Sequence, residues 1–102
     1  NLNNLAAVHH VRGELSAGEP LYRRALAVKE NLLGPEHIDV ALTLSNLAAL
    51  CWDQERTAEA EALYRRALAI YEPALGPWHP KVVACREDCA ALGLLACARD
   101  GP

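Results

Sequence analysis

Apolar residues along this chain recur with helical spacing. One set of apolar residues, running from Ala60 to Tyr71, advances by three, one, three, one and three residues. No stretch alternates apolar and polar residues with period two, which is the spacing of a half-buried strand. The pattern therefore predicts a chain built from helices. The clearest helical face, with steps of four, three, one and three residues, consists of Val40, Leu44, Leu47, Ala48 and Cys51.

Two kinds of break interrupt this pattern, and each kind occurs twice. One is polar or rich in small residues, at residues 13–16 and 53–57. The other is a Gly-Pro pair at residues 34–35 and 76–77, and glycine followed by proline is a signal for the end of a helix. Between the breaks we expect five helices in antiparallel hairpins, over residues 1–12, 17–33, 38–53, 58–75 and 80–98.

The breaks recur because much of the sequence recurs 42 residues later. Residues 1–42 and 43–84 are identical at 19 of 42 positions, and Leu-Tyr-Arg-Arg-Ala-Leu-Ala stands at both 21–27 and 63–69. A fixed period of this length indicates stacked units, none of which can bury its apolar face alone. Such arrays commonly present an extended surface to a partner. The repeat therefore favours an interaction module over an enzyme.

Composition narrows the class of protein further. The chain has 102 residues, 52% of them hydrophobic, which suits one domain with a buried core. A net charge of −3 argues against nucleic acid as a partner. There is no signal peptide and no apolar run long enough for a membrane span, so we expect a cytoplasmic protein with reduced, packed cysteines. The chain begins inside a repeat and without Met, which predicts a fragment of a longer protein.

The second unit carries a set of motifs in a fixed order: Asn46-Leu47-Ala48-Ala49-Leu50, Ala58-Glu59-Ala60-Glu61, Leu63-Tyr64-Arg65-Arg66-Ala67-Leu68, Leu75-Gly76-Pro77 and His79-Pro80. With these motifs, each unit resembles a tetratricopeptide repeat of the longer, kinesin-light-chain type, and the resemblance covers residues 1–92. It implies an all-α, right-handed superhelical solenoid of antiparallel helix hairpins with about two and a half repeats. One domain over residues 1–102 would contain a truncated repeat over 1–36, a second over 37–78, and a half repeat or capping helix over 79–102.

The resemblance also implies that the first helix of each hairpin lines a concave groove. Asparagine suits such a groove because its amide both donates to and accepts from a peptide backbone, and tryptophan is a frequent anchor at binding surfaces. The alternative is that Asn4 and Asn46 bond only within the scaffold. The expected groove positions carry no Lys or Arg, whereas relatives that bind carboxylates or acidic cargo use them, so a neutral or basic segment is the expected partner. These positions are Asn3, Asn4, His10, Ser45, Asn46, Trp52, Asp53, Glu87 and Asp88.

Other residues that could carry chemistry favour structural roles. His37 and His79 recur at the inter-repeat turn and could bind metal or cap the next helix, and the resemblance favours the cap. Cys85 and Cys89 lie one helical turn apart, but a zinc site needs four ligands, so no metal site is expected. A thiol redox or metal switch is a third alternative, which rests on these two residues alone. The sequence has no nucleophile–base constellation and no glycine-rich phosphate loop, so we expect neither catalysis nor a cofactor.

The last predicted helix is apolar on nearly all sides. Such a helix is normally buried on all sides, yet we predict no further helix within these 102 residues to cover this one. An exposed apolar patch usually marks an interaction site, which predicts self-association or a partner contact through Leu92, Leu94 and Leu95, with Cys97 nearby. The alternative is that Gly93 frays the helix and the tail folds back over its own hairpin.

Together these observations predict a scaffold for protein–protein interaction that binds a peptide or protein segment in its groove. The alternative is a structural spacer or self-association segment of a larger signalling protein, with no ligand of its own. Further repeats upstream would favour the groove, whereas a catalytic or nucleotide-binding domain elsewhere in the protein would favour the spacer.

Overall fold

Helices make up the regular structure of this protein. The computed structural model describes the backbone of residues 2–100 and the side chains of residues 4–93, and this part contains no strand. No helix within these residues is both long enough and apolar enough to cross a bilayer. The prediction of five helices is confirmed, although the second begins at residue 15 instead of 17. The helices are α1 (Leu2–Val11), α2 (Leu15–Leu33), α3 (Ile38–Asp53), α4 (Thr57–Leu75) and α5 (Pro80–Asp100).

Contacts between helices are almost entirely between neighbours in the sequence. Within the described residues, α1 packs on α2, α2 on α3, α3 on α4 and α4 on α5, with a small additional contact between α1 and α3. Turns of only three or four residues connect the helices. This nearest-neighbour packing is the contact pattern of a solenoid, and it confirms the all-α repeat architecture.

The turns that follow α2 and α4 are built in the same way. Gly34 and Gly76 adopt φ angles of 93° and 89°, in the left-handed region that favours glycine. Their backbone N–H groups donate to the carbonyl oxygens of Glu30 and Glu72 at 3.0 and 2.9 Å. Each glycine thus ends its helix while satisfying one of the last free carbonyl groups.

The repeated histidines cap the helices that come after these turns. His37 Nδ1 accepts a hydrogen bond from the backbone N–H of Asp39 at 3.0 Å. His79 Nδ1 accepts from the N–H of Lys81 at 3.1 Å. An acceptor at this point satisfies an N–H group that has no partner inside the helix. The helix-cap interpretation of both histidines is therefore confirmed.

A buried glycine allows α1 and α2 to approach closely. Gly18 stands in the interior of α2, where glycine costs about 1 kcal/mol relative to alanine. A Cβ atom at this position would lie 3.2 Å from the carbonyl oxygen of Ala6 and 3.1 Å from Leu50 Cδ1. Because Gly18 has no side chain, the backbone of α1 can occupy the space next to it.

Helix α5 packs on α4 and places Leu92 in the protein core. Leu92 is 0% exposed and belongs to the main cluster of buried apolar residues. Its predicted place in an exposed self-association patch is therefore wrong, because that side of α5 is covered by the chain itself. The helix also continues past Gly93 to Asp100. The side chains of Leu94, Leu95 and Cys97 lie outside the described residues.

Four charged residues form a closed ring that joins α2 to α4 and the turn before it. Arg23 donates to Glu19 at 2.8 Å and also to Glu59. Arg56 donates to Glu19 at 2.8 Å and also to Glu59. The hydrogen bond from Arg56 lowers the pKa of Glu19, and the hydrogen bond from Arg23 lowers the pKa of Glu59. The ion pair of Glu19 and Arg23, one helical turn apart in α2, is therefore part of a larger network between helices.

Removing one carboxylate from this ring should flatten the response of stability to acid. Because the folded-state pKa values of Glu19 and Glu59 are lowered, their contribution is present at neutral pH and is lost as pH falls through those values. We expect Glu59→Gln to be less stable than wild type at neutral pH and to lose less stability between about pH 5 and pH 2. Urea unfolding at several pH values measures this, with Glu36→Gln, an exposed site outside the ring, as the control. An equally steep loss in Glu59→Gln and wild type would contradict the assignment.

Candidate functional site

A groove lies between α3 and α5, and buried tyrosine rings of α4 form its base. Its volume is about 280 Å³. We call it the α3–α5 groove. It is lined by Leu42, Ser45, Asn46 and Ala49 of α3, by Tyr64 and Tyr71 of α4, and by Lys81, Ala84, Cys85 and Asp88 of α5.

The periodicity of α3 explains how one helix serves both the core and the groove. The face that carries Leu44, Leu47 and Ala48 is fully buried. Ser45 and Asn46 lie on the adjoining side of the helix, and each is half-buried. A 3.6-residue repeat places these two sides next to each other, so packing of the apolar face fixes the direction of the polar one.

Two side chains of the groove lining are held by hydrogen bonds within the scaffold. Ser45 Oγ donates to the carbonyl oxygen of Leu42 at 2.9 Å, a bond inside α3 that fixes the direction of the hydroxyl group. Cys85 Sγ donates to the carbonyl oxygen of Tyr64 at 3.3 Å. This second bond joins α5 to α4 and holds that wall of the groove against the helix that carries the tyrosine rings.

Aromatic rings and carboxylates meet at one end of the groove. The rings of Trp52 and Tyr64 pack edge to face, with centroids 6.4 Å apart and an angle of 85° between their planes. Burial raises the pKa of Tyr64, and the carboxylates of Asp88 and Asp53 raise it further. Asp88 and Tyr64 both line the groove, and Asp53 directly follows Trp52 in α3. Burial also raises the pKa of Asp88 itself, and the neighbouring charge of Glu87 adds to that effect.

The other predicted groove residues whose side chains are described lie outside the groove lining. His10 Nε2 lies 2.5 Å from Asp53 Oδ2, a contact that links α1 to α3. Glu87 is exposed on α5 beside Asp88. Asn4 is exposed on α1 and, among the described side chains, does not belong to the groove lining. The side chain of Asn3 lies outside the described residues. Of the nine predicted positions, Ser45, Asn46 and Asp88 line the groove directly.

Several lining residues were missed by the sequence analysis. The predicted positions carry no Lys or Arg, but Lys81, which was not among them, also lines the groove. The spacing offered a signal, since Lys81 precedes Asp88 by seven residues, or two helical turns, and so falls on the same side of α5. Tyr64 and Tyr71 were missed as groove residues because they are also core residues, exposed by only 5% and 3%.

The buried thiols have the properties of packed structural cysteines. Cys51 and Cys85 are both buried and free. Burial raises the pKa of Cys51 and raises that of Cys85 to about 11. A protonated thiol is a poor nucleophile and a poor metal ligand. Cys51 lies close to the carboxylates of Glu19 and Glu59, but Arg23 and Arg56 already bind both of these.

Comparison with known proteins places this geometry in context. The family model described as Tetratricopeptide repeat matches residues 1–73 and 40–96. A search of curated proteins returned no significant match. One similar solved structure is a crystal structure of nearly identical TPR-like repeats of the kinesin-light-chain kind from Podosopora anserina, with a TM-score of 0.81 and 21% identity. The match covers 93% of this chain and 45% of that one, so this chain spans less than half of the other, and the likeness concerns the fold.

Proposed function

This chain belongs to the tetratricopeptide repeat family, and from that premise we propose that it binds a peptide or protein segment in the α3–α5 groove. Repeats of this family, including the kinesin-light-chain-like type, generally mediate protein–protein interaction. The observation that carries the proposal is the lining of the groove, where the half-buried Ser45 and Asn46 stand beside the small side chains of Ala49 and Ala84.

The size of the groove supports a peptide over a small organic ligand. Its volume is about 280 Å³. Pockets that enclose drug-sized ligands usually hold about 300–1,000 Å³ and bury most of the ligand. A groove at the lower limit of that range, open along two helices, suits one or two side chains of a segment whose backbone lies across it.

We attribute binding in the groove to side chains that are already held in place before the segment arrives. The Asn46 amide can donate to and accept from the backbone of an extended segment, as asparagine in general can. Ser45 is held by its bond to the carbonyl oxygen of Leu42, and the tyrosine rings below it are buried. Rigid side chains on rigid helices lose little conformational entropy on binding, so more of the contact energy appears as affinity.

A pair of alanines provides a matched test of the groove. Ala84 is exposed and lines the groove, whereas Ala69 is exposed and lines a separate cleft with Pro35, Arg66 and Pro73. A displayed library of random dodecapeptides would be selected on the wild-type chain, and the affinity of enriched peptides measured by fluorescence anisotropy. We expect Ala84→Trp to weaken binding by roughly tenfold or more, because the indole fills the groove and removes central contacts. Ala69→Trp should leave the affinity unchanged.

The same experiment can reject the proposal in two ways. If Ala69→Trp weakens binding and Ala84→Trp does not, the binding surface is the other cleft. If no peptide is enriched on the wild-type chain, the groove has no peptide-binding function, and the structural-spacer alternative replaces it.

A further inference from the structure

Negative charge is concentrated at the end of the groove where Trp52 and Tyr64 meet. Asp88 lines the groove together with Tyr64, Asp53 directly follows Trp52 in α3, and Glu87 directly precedes Asp88 in α5. We call these three carboxylates the acidic end. We infer that the acidic end seats a cationic side chain, Lys or Arg, of the segment that the groove binds. The inference rests on the proposed function and specifies the chemistry of the partner.

The internal repeat shows that the charge of Asp88 is absent from the equivalent positions of the two other units. Asp88 stands 42 residues after Asn46, which itself stands 42 residues after Asn4. Asp and Asn have nearly the same size and shape, so packing does not distinguish them at this position. What the third unit adds is one negative charge in the groove lining.

This added charge lacks a basic partner in the described part of the protein. Asp88 is half-buried, and burial together with Glu87 raises the pKa of its carboxyl group. None of the ion pairs between described residues includes it. Lys81, the cation of the groove lining, is two turns away along α5, about 10 Å at 1.5 Å per residue. A half-buried carboxylate is costly until a cation binds it, which makes a cationic ligand group the favoured occupant.

The surrounding side chains suit a Lys or Arg side chain. Trp52 is half-buried and offers aromatic surface beside the buried ring of Tyr64, and aromatic faces attract ammonium and guanidinium groups. Asp53 is bonded to His10 through one carboxylate oxygen, yet its side chain is 59% exposed and keeps acceptor capacity. A segment with a carboxylate at this point would instead meet three negative charges, and like charges across an interface disfavour binding. Charge complementarity therefore selects a basic segment over an acidic one.

The repeat also supplies the variant that tests this inference. Asp88→Asn installs the residue that the two other units carry at the equivalent position, so it should fold as the wild type does. The probe is the set of dodecapeptides enriched from the random library on the wild-type chain. We expect these peptides to share a Lys or Arg, and Asp88→Asn to bind them roughly tenfold or more weakly, since a close charge pair is lost. Glu36→Gln makes the same change in net charge at an exposed position of the other cleft and should leave the affinity unchanged.

A substitution in the peptide completes the test. Replacing the shared basic residue of an enriched peptide by norleucine should weaken binding to the wild-type chain, and should cause little further loss with Asp88→Asn, because the two changes remove the same interaction. If the enriched peptides share no basic residue, or if Asp88→Asn binds them as tightly as wild type, the inference is overturned, and the proposed function still stands on the Ala84→Trp result. If no peptide is enriched, both fall.

Discussion

Replacing Tyr64 by alanine is expected to lower the free energy of unfolding by roughly 3–5 kcal/mol. The side chain is only 5% exposed, and its ring packs against Trp52 of α3. Its backbone carbonyl accepts the bond from Cys85 of α5. Truncation at this position would open a cavity where three helices meet, and a large cavity inside a close-packed core is not recovered by relaxation. Urea unfolding followed by circular dichroism measures the change.

The matched control keeps the ring and removes only the hydroxyl group. Tyr64→Phe should lose much less stability than Tyr64→Ala, because most of the buried surface remains. If the two variants unfolded at the same urea concentration as wild type, Tyr64 would not hold α3, α4 and α5 together in the way the structure shows.

Replacing Leu92 by alanine is expected to cost about 2–5 kcal/mol, since a fully buried leucine loses both its transfer free energy and its packing. Leu92 is 0% exposed, although it lies near the end of the chain. The control is the same substitution at Leu32, which is 77% exposed and should have little effect. Thermal and urea unfolding of the two variants provide the comparison. Equal stabilities for Leu92→Ala and Leu32→Ala would show that α5 does not pack on α4 through this residue.

Much of the fold could be predicted because its signals are local and occur twice. The Gly-Pro pairs end helices through the backbone geometry of Gly34 and Gly76, which depends on few other residues. His37 and His79 cap helices through contacts two residues away. The side of α3 that faces the core follows from its spacing alone. In each case the second copy of the repeat repeats the same local geometry.

The errors arose where the answer depended on contacts between elements. Helix α5 is apolar on several sides, so its sequence could not indicate that α4 covers Leu92. Lys81 stands 42 residues after Asp39, which was not among the predicted groove positions, and it was therefore overlooked in the groove. The ring that joins Glu19 to Arg56 spans 37 positions and exists only through the packing of the hairpins. Tertiary placement, not local propensity, decides such contacts.

The central claim, that the α3–α5 groove is the binding site, is tested most directly by mapping a bound peptide onto the chain. Backbone amide resonances of the isotopically labelled protein would be followed while an enriched dodecapeptide is added. We expect the largest shifts in the amides of α3 and α5 near Asn46, Ala49, Ala84 and Asp88, the residues that line the groove. Shifts centred instead on the amides of Ala69 and Ala74 of α4, which line the separate cleft, would contradict the claim.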